Sequence, residues 1–262
     1  MSNDESASKN VTSKSDLAIN AIFGKLKANI DFSFVDQKNM CLMVTSSLPN
    51  EGKTTIAANT AAVMASSGKR TLLIDADMRN ASVHLLFNYV NGVGLSDVIS
   101  QNTDWHECLI KSSVPSLYII TAGRKPLNTT KFVSSMRFKN FIDDARKEFD
   151  YVVIDTPPIL LLPDSQIISP IVDGVIIVVN SGKTKQVDLK SSGELLKRAN
   201  ANVIGVVLNN VRTKGAAYGY GYGYGYGYTY GSYGNNEKPQ KASRRKEETP
   251  QERPGNRVEK RS

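Results

Sequence analysis

Six apolar runs of strand length recur along this chain, and none alternates with polar residues. They are M-C-L-M-V-T-S at 40–46, T-L-L-I-D at 71–75, L-Y-I-I-T at 117–121, Y-V-V-I-D at 151–155, G-V-I-I-V-V at 174–179 and V-I-G-V-V-L at 203–208. A strand that meets water on one face alternates apolar and polar side chains. A continuous run instead predicts burial on both faces, which is the property of a parallel sheet covered by helices. Helical stretches fit between the runs, at about 53–67, 130–148, 164–170 and 186–199. Strand-helix alternation of this kind predicts an α/β, doubly wound, mostly parallel sheet with its ligand at the carboxyl ends of the strands.

The division of the 262 residues follows from the same reading. Residues 1–15 read as a polar, disordered leader. Residues 16–34 place Leu17, Ile19, Ile22, Phe23, Leu26 and Ile30 at three- and four-residue spacings, an amphipathic helix with Asp16 near its start. Its apolar face is expected to dock on the domain or on another subunit. Residues 35–215 form the α/β domain, long enough to bury a large core. Residues 216–235 hold a Gly-Tyr alternation, with eight of the eleven tyrosines: Tyr218, Tyr220, Tyr222, Tyr224, Tyr226, Tyr228, Tyr230 and Tyr233. Such an alternation cannot pack a core, because every second residue lacks a side chain and has maximal backbone freedom. Residues 236–262 are basic and almost free of apolar groups, so disorder is expected there. The last 26 residues carry nine Lys or Arg against five Glu, about half of the net charge of +8. Such a tail solvates the protein or meets acidic partners and anionic membrane surfaces.

Other classes are disfavoured. No apolar run approaches the ~20 residues of a membrane span, and the polar N-terminus does not resemble a secretion signal. The expected location is the cytosol. Cys41 and Cys108 suggest no disulfide framework, and His84 and His106 have no metal-site spacing.

The chemistry lies in three motifs. Directly after the first strand stands T-S-S-L-P-N-E-G-K-T-T, residues 45–55. Gly52, Lys53 and Thr54 fit the phosphate-loop pattern G-x-x-x-x-G-K-[ST], with Ser47 in place of the first glycine. Amides from Asn50, Glu51 and Gly52 through Thr55 would face phosphates at a helix N-terminus. Lys53 would bridge the β- and γ-phosphates, the Thr54 hydroxyl would ligate Mg²⁺, and Thr55 would lie near the α-phosphate. Next, L-L-I-D-A-D-M-R at 72–79 puts Asp75 and Asp77 at the end of the second strand, one for the metal's water shell and one to accept a proton. Then Y-V-V-I-D-T-P-P at 151–158 ends a strand on Asp155, resembling the acidic residue that positions Mg²⁺ in P-loop enzymes.

In this order and spacing the three motifs, followed by a tyrosine-rich tail, resemble the bacterial tyrosine kinases of capsular and exopolysaccharide operons, over roughly residues 16–235. The resemblance implies ATP and Mg²⁺ as cosubstrate and metal. It implies Lys53, Asp75, Asp77 and Asp155 as the catalytic set, and Thr54, Asp75, Asp77 and Asp155 around the metal. Asn209 becomes a candidate adenine contact. Arg79 is a candidate for charge stabilisation or a subunit contact, and Asp164 is an acid without an assigned role. The implied activity is autophosphorylation of the tail tyrosines between subunits. The implied partners are a membrane adaptor that recruits the kinase to the inner face of the plasma membrane and activates it, further copies of the chain, and a cognate tyrosine phosphatase. Nucleic acid is not among them. The family's E-x-x-R-x-x-R contact falls on Ala21, Gly24 and Lys27 here, and Lys cannot rebuild a bidentate arginine contact. Two other classes share parts of the pattern. Min- and Par-type partition ATPases share the strand-D-x-D feature but usually carry a lysine early in the loop, where this chain has Ser46 and Ser47. A non-catalytic module of self-associating Gly-Tyr repeats would leave the three phosphate motifs without a use.

Overall fold

A computed structural model describes residues 14–35, 37–101 and 103–211. The eight tail tyrosines, the basic segment 236–262 and most of the leader lie outside the described residues. The elements in chain order are α1 (Lys14–Ser33), β1 (Met40–Ser46), α2 (Lys53–Ser66), β2 (Thr71–Asp75), α3 (Val83–Leu86), α4 (Leu95–Ser100), β3 (Ile110–Lys111), β4 (Leu117–Ile120), α5 (Thr129–Val133), α6 (Met136–Glu148), β5 (Tyr151–Asp155), α7 (Asp164–Ile168), β6 (Gly174–Asn180), α8 (Gln186–Arg198) and β7 (Val203–Asn209). Single 3₁₀ turns occupy Trp105–Cys108 and Ser169–Ile171.

The strands form one seven-stranded sheet in the order β3-β4-β2-β5-β1-β6-β7. Every pairing is parallel except the two-residue edge contact of β3 with β4. Chain order therefore reverses about β1, which lies between β5 and β6. In open α/β sheets the crevice at such a reversal is where ligands bind.

Burial on both faces explains the apolar runs. Along β1, Cys41 and Met43 enter one core, while Met40, Leu42 and Val44 enter the other. In β6, Val175, Ile177 and Val179 face the first core and Ile176 and Val178 the second. The first core is closed by α4, α6, α7 and α8 through Val98, Phe138, Ile142, Ile168 and Leu196. The second is closed by α1 and α2 through Ile30, Ile56, Ala61 and Met64. Each fully buried Val, Ile, Leu or Phe contributes about 1.5–3 kcal/mol relative to exposure.

The sixth run differs from the expectation of cover on both faces. β7 is an edge strand, and Val206 and Leu208 on one of its faces are 49% and 56% exposed. α1 docks on the domain beside α2 and buries Ile30, and Phe34 just after it is buried in the same core, its ring beside Gly174 of β6. The helix expected over 130–148 is two helices. Ser135 takes an extended conformation between them, and its hydroxyl caps α6 by accepting from Phe138 N–H at 3.2 Å.

Candidate active site

Strand register assembles the site. Asp155 pairs with Val44 of β1 on one side and with Asp75 of β2 on the other. The two acids thus sit side by side at the carboxyl ends of adjacent strands, beside the loop that leaves β1. That loop runs into α2, whose first residue is Lys53.

The loop is held by its own side chains. Glu51, only 3% exposed, accepts from Leu48 N–H at 2.8 Å, and its other carboxylate oxygen receives the Thr184 hydroxyl. Its carbonyl accepts from Asn209 Nδ2 at 3.0 Å. The Asn209 side-chain amide is thus engaged with the loop, and Asn209 Oδ1 accepts from Asn210 N–H. Gly52 has φ 92°, and a Cβ there would lie 2.1 Å from Asn209 Nδ2. Asn50 also has positive φ, a conformation asparagine tolerates. Ser47 is not among the positive-φ residues. It is fully buried, and its hydroxyl accepts from Ser192 of α8 at 2.8 Å.

The charged groups of the three motifs lie close together. Lys53 Nζ lies 2.9 Å from Asp77 and 3.5 Å from Asp155. The Thr54 hydroxyl donates to Asp155 at 2.7 Å and accepts from the Ser82 hydroxyl at 3.0 Å. Asp75 is turned to the backbone: one oxygen accepts from Asp77 N–H at 3.1 Å, the other from Ser82 and Val83 N–H at 3.0 Å each. Asp77 lies beyond the end of β2, and its second oxygen accepts from Asn80 N–H at 3.0 Å. Thr55 follows in the first turn of α2. Ser82, Thr184 and Ser192 were not found from the sequence. Each is an isolated hydroxyl in a loop or helix whose partner is remote in the chain, and no local pattern marks it.

Three buried carboxylates thus share one lysine. Burial pushes Asp75 up to about 7, with Asp155 adding to the rise, against hydrogen bonds from Val83 and Ser82 and the charge of Lys53. Burial pushes Asp155 up to about 6, opposed by Lys53 and the Thr54 hydroxyl and reinforced by Asp77. For Lys53, burial works against the charged form, but Asp155 and Asp77 outweigh it and its pKa is raised. The site has an excess of negative charge in a dry environment, so a divalent cation suits it. Among the described residues no three acidic, imidazole or thiol groups form a metal cage. The Thr54 hydroxyl and the Asp155 carboxylate, 2.7 Å apart, are hard oxygen donors of the kind Mg²⁺ takes one or two of, with phosphate and water completing its shell.

Residues 50–201 match the AAA-domain family. The tyrosine-protein kinase YwqD of Bacillus subtilis is 37% identical over 195 residues, which cover 74% of this chain and 82% of that protein. The chain belongs to the bacterial tyrosine kinases. These are the ATP-dependent P-loop enzymes of capsular and exopolysaccharide biosynthesis. A second member, the putative tyrosine-protein kinase CapB of Staphylococcus aureus, is 33% identical over 189 residues, covering 72% of this chain and 83% of that one. The kinase domain of the Escherichia coli tyrosine kinase ETK superposes with a TM-score of 0.72 at 29% identity, covering 78% and 80% of the two chains. The cell-division ATPase MinD of Pyrococcus furiosus shares the fold alone, with a TM-score of 0.58 at 22% identity over 66% and 72% of the two chains.

Proposed function

We propose that this bacterial tyrosine kinase phosphorylates the tyrosines between Tyr218 and Tyr233 of its own tail, in trans between subunits. The observation that supports this best is Lys53, buried between Asp77 and Asp155 beside the Thr54 hydroxyl. In this reading Lys53 is the phosphate-binding cation, the Thr54 hydroxyl the metal ligand and Asp77 the base.

The residues divide the work as follows. The amides from Asn50 to Thr55 and Lys53 hold the ATP phosphates, and Asn209 borders the loop as the candidate adenine contact. Thr54 would hold Mg²⁺, with Asp155, Asp77 and Asp75 around its water shell, and the metal would supply charge neutralisation to the phosphates. Lys53 pairs with Asp77 at 2.9 Å, and the Asp77 carboxylate accepts the phenol proton. A free phenol has a pKa near ~10 and is a poor nucleophile until that proton is shared. Most of the rate gain comes from positioning and electrostatics.

Each phosphate adds about −1.5 to −2 charges, so several would overturn the tail's positive balance and disassemble an oligomer or release a partner. We further propose a cytoplasmic enzyme recruited to the inner membrane face by an adaptor and reset by a tyrosine phosphatase. No helix among the described residues is long and apolar enough to cross a membrane. At the positions of the family's ring contact, Lys27 is paired with Asp31 at 2.6 Å, and a side chain at Gly24 would meet nothing within 4 Å. Subunit contacts would therefore use other residues.

Incubation with Mg-ATP and the adaptor peptide, followed by mass spectrometry of residues 216–235, tests the reading. Phosphotyrosine that disappears in Asp77→Asn supports it. ADP release without phosphotyrosine would place the protein with the partition-type switches instead.

A further inference from the structure

Leu85, Leu127 and Leu161 are 69%, 109% and 57% exposed. All three stand on segments that leave the carboxyl ends of parallel strands, the end of the sheet that carries the phosphate loop. Leu85 lies in α3 after β2, Leu127 in the loop after β4, and Leu161 in the loop after β5. A single exposed leucine is ordinary on a protein surface. These three are each tied to the site by short chains of hydrogen bonds.

Ile159 N–H donates to the Ser46 carbonyl at 2.9 Å and Leu160 N–H to the Ser47 carbonyl at 3.4 Å. The segment that carries Leu161 therefore lies along the start of the phosphate loop. Leu85 N–H donates to the Ser82 carbonyl at 3.2 Å, and Ser82 in turn donates to Asp75 and to the Thr54 hydroxyl. Leu127 is held through Thr129 and Thr130, whose hydroxyls donate to the two carboxylate oxygens of Asp164 at 2.9 and 2.6 Å. Asp164 is 1% exposed, follows Leu161 closely in the chain and has Arg79 Nε at 3.8 Å. This buried acid thus clamps the Leu127 segment to the Leu161 segment. Val83 beside Leu85 enters the second core, whereas Ile159 and Val133, near the other two leucines, enter the first. The exposed leucines therefore stand on both sides of the crevice.

The chain contains a segment of matching chemistry. From Gly215 to Asn236 it carries no charged residue, and from Tyr218 to Tyr226 five tyrosines alternate with glycine. Such a segment offers rings, hydroxyls and backbone for recognition, and no ion pair. When it is extended, tyrosines at i and i+2 share a face about 7 Å apart. A tyrosine in the site then has a second ring on either side of it. Each ring brings a large apolar surface whose hydroxyl can stay in water, and an exposed leucine is a fitting partner for that surface.

We infer that Leu85, Leu127 and Leu161 form an acceptor rim, which docks the rings that flank the reacting tyrosine in the Gly-Tyr segment of a second copy. The inference deepens the kinase reading and rests on it. The rim reads the presence of neighbouring rings, not one position, because the repeat gives every internal tyrosine the same neighbours. Asp164, Thr129 and Thr130 are positioning residues for this surface.

The full-length chain is assayed with Mg-ATP and the adaptor peptide, diluted so that an added acceptor peptide of residues 216–227 is in large excess over the chain's own tail. In one peptide Tyr218, Tyr220, Tyr224 and Tyr226 are replaced by Phe, and in the other by Ser, leaving Tyr222 as the single acceptor in each. The Phe peptide is expected to have a KM about tenfold lower, with kcat within about twofold. In Leu85→Ser/Leu127→Ser/Leu161→Ser the two KM values should converge, through a rise for the Phe peptide, while the KM for ATP stays within about twofold of wild type. If that variant does not fold, Leu127→Ser, at the most exposed of the three, is read for the same narrowing. Equal KM values for the two peptides with the wild-type chain would overturn the inference. So would a rim variant that keeps the full difference between them. A variant that keeps this difference and changes the assembly mass, or the response to the adaptor, would assign the leucines to a subunit or adaptor contact instead. If the wild-type chain makes no phosphotyrosine on either peptide or on its own tail, the kinase reading itself fails.

Discussion

Glycine is needed in this phosphate loop at Gly52 and not at Ser47. Gly52 has φ 92° and has the Asn209 amide where a Cβ would point, at 2.1 Å. Gly52→Ala adds the cost of a left-handed alanine, about 1 kcal/mol, and displaces the Asn209–Glu51 hydrogen bond, worth about another 1 kcal/mol. A loss of ~2 kcal/mol in urea unfolding, with weaker ADP binding, is the expected outcome. Ser47 lies outside the positive-φ set and holds Ser192 at 2.8 Å. Restoring the family glycine with Ser47→Gly should therefore lower stability by about 1–2 kcal/mol, from the lost bond and the added chain freedom, with no gain in ADP affinity. A tighter-binding Ser47→Gly protein would contradict this account. The positions of Lys53, Thr54, Asp75, Asp77 and Asp155 were legible because motif and strand end coincide. The bracing by Ser192, Thr184 and Asn209 was not, because those contacts span 145, 133 and 158 residues of chain.

At the scale of elements, β1, β2, β4, β5 and β6 could be read because burial on two faces leaves a continuous apolar signature, while β7 keeps such a run although Val206 and Leu208 on its edge are exposed. The short elements could not. α3 has four residues and starts where Asp75 accepts from Ser82 and Val83. α4 is fixed by Asp97, which accepts from Gly94 N–H at 2.9 Å. β3 is two residues on the sheet edge. Each is set by tertiary contacts rather than by a period long enough to detect. The 3₁₀ turn at Trp105–Cys108 is tied to α6 in a way that pH can probe. His106 Nδ1 lies 2.6 Å from Asp104 and Nε2 2.8 Å from Glu148. Hydrogen bonds to Asp104 first and Glu148 second raise the imidazole pKa above its ordinary value. A raised pKa in the folded state contributes stability that is complete below ~6.5 and is lost as pH rises through the folded value. The side chain is 49% exposed, so solvent screening limits the tie to about 0–1 kcal/mol. An imidazole titration by NMR should give a midpoint above 6.5, and His106→Ala should destabilise the protein slightly at pH 5.5 and not at pH 9. A midpoint at or below 6.5 would remove the tie.

For the whole molecule, the geometry of the sheet bears on which copy of the tail enters the site. The tail leaves after β7, and β6, β1 and β5 separate β7 from β2, whose end carries Asp75. Four gaps of about 4.8 Å put the two strands ~19 Å apart. Tyr218 follows Val211, the last described residue, by seven positions, a contour of at most about 25 Å. It would reach its own site only when nearly straight. Tyr233 follows by 22 positions, and a contour near ~75 Å reaches easily. Transfer within one subunit must therefore favour the distal tyrosines strongly and must proceed at a rate per enzyme that dilution does not change. Transfer between subunits frees the acceptor from this tether, so Tyr218 and Tyr233 are modified at comparable rates and the initial rate per enzyme rises with protein concentration. We expect the second pattern, read by site-resolved mass spectrometry over a hundredfold dilution series. Mixing an inactive Lys53→Met chain as acceptor with an active chain whose eight tail tyrosines are Phe gives the complementary test. Phosphotyrosine on the inactive chain requires a donor site on another copy, and its absence, with the active chain still modifying the free tail peptide, would return the reaction to a single subunit.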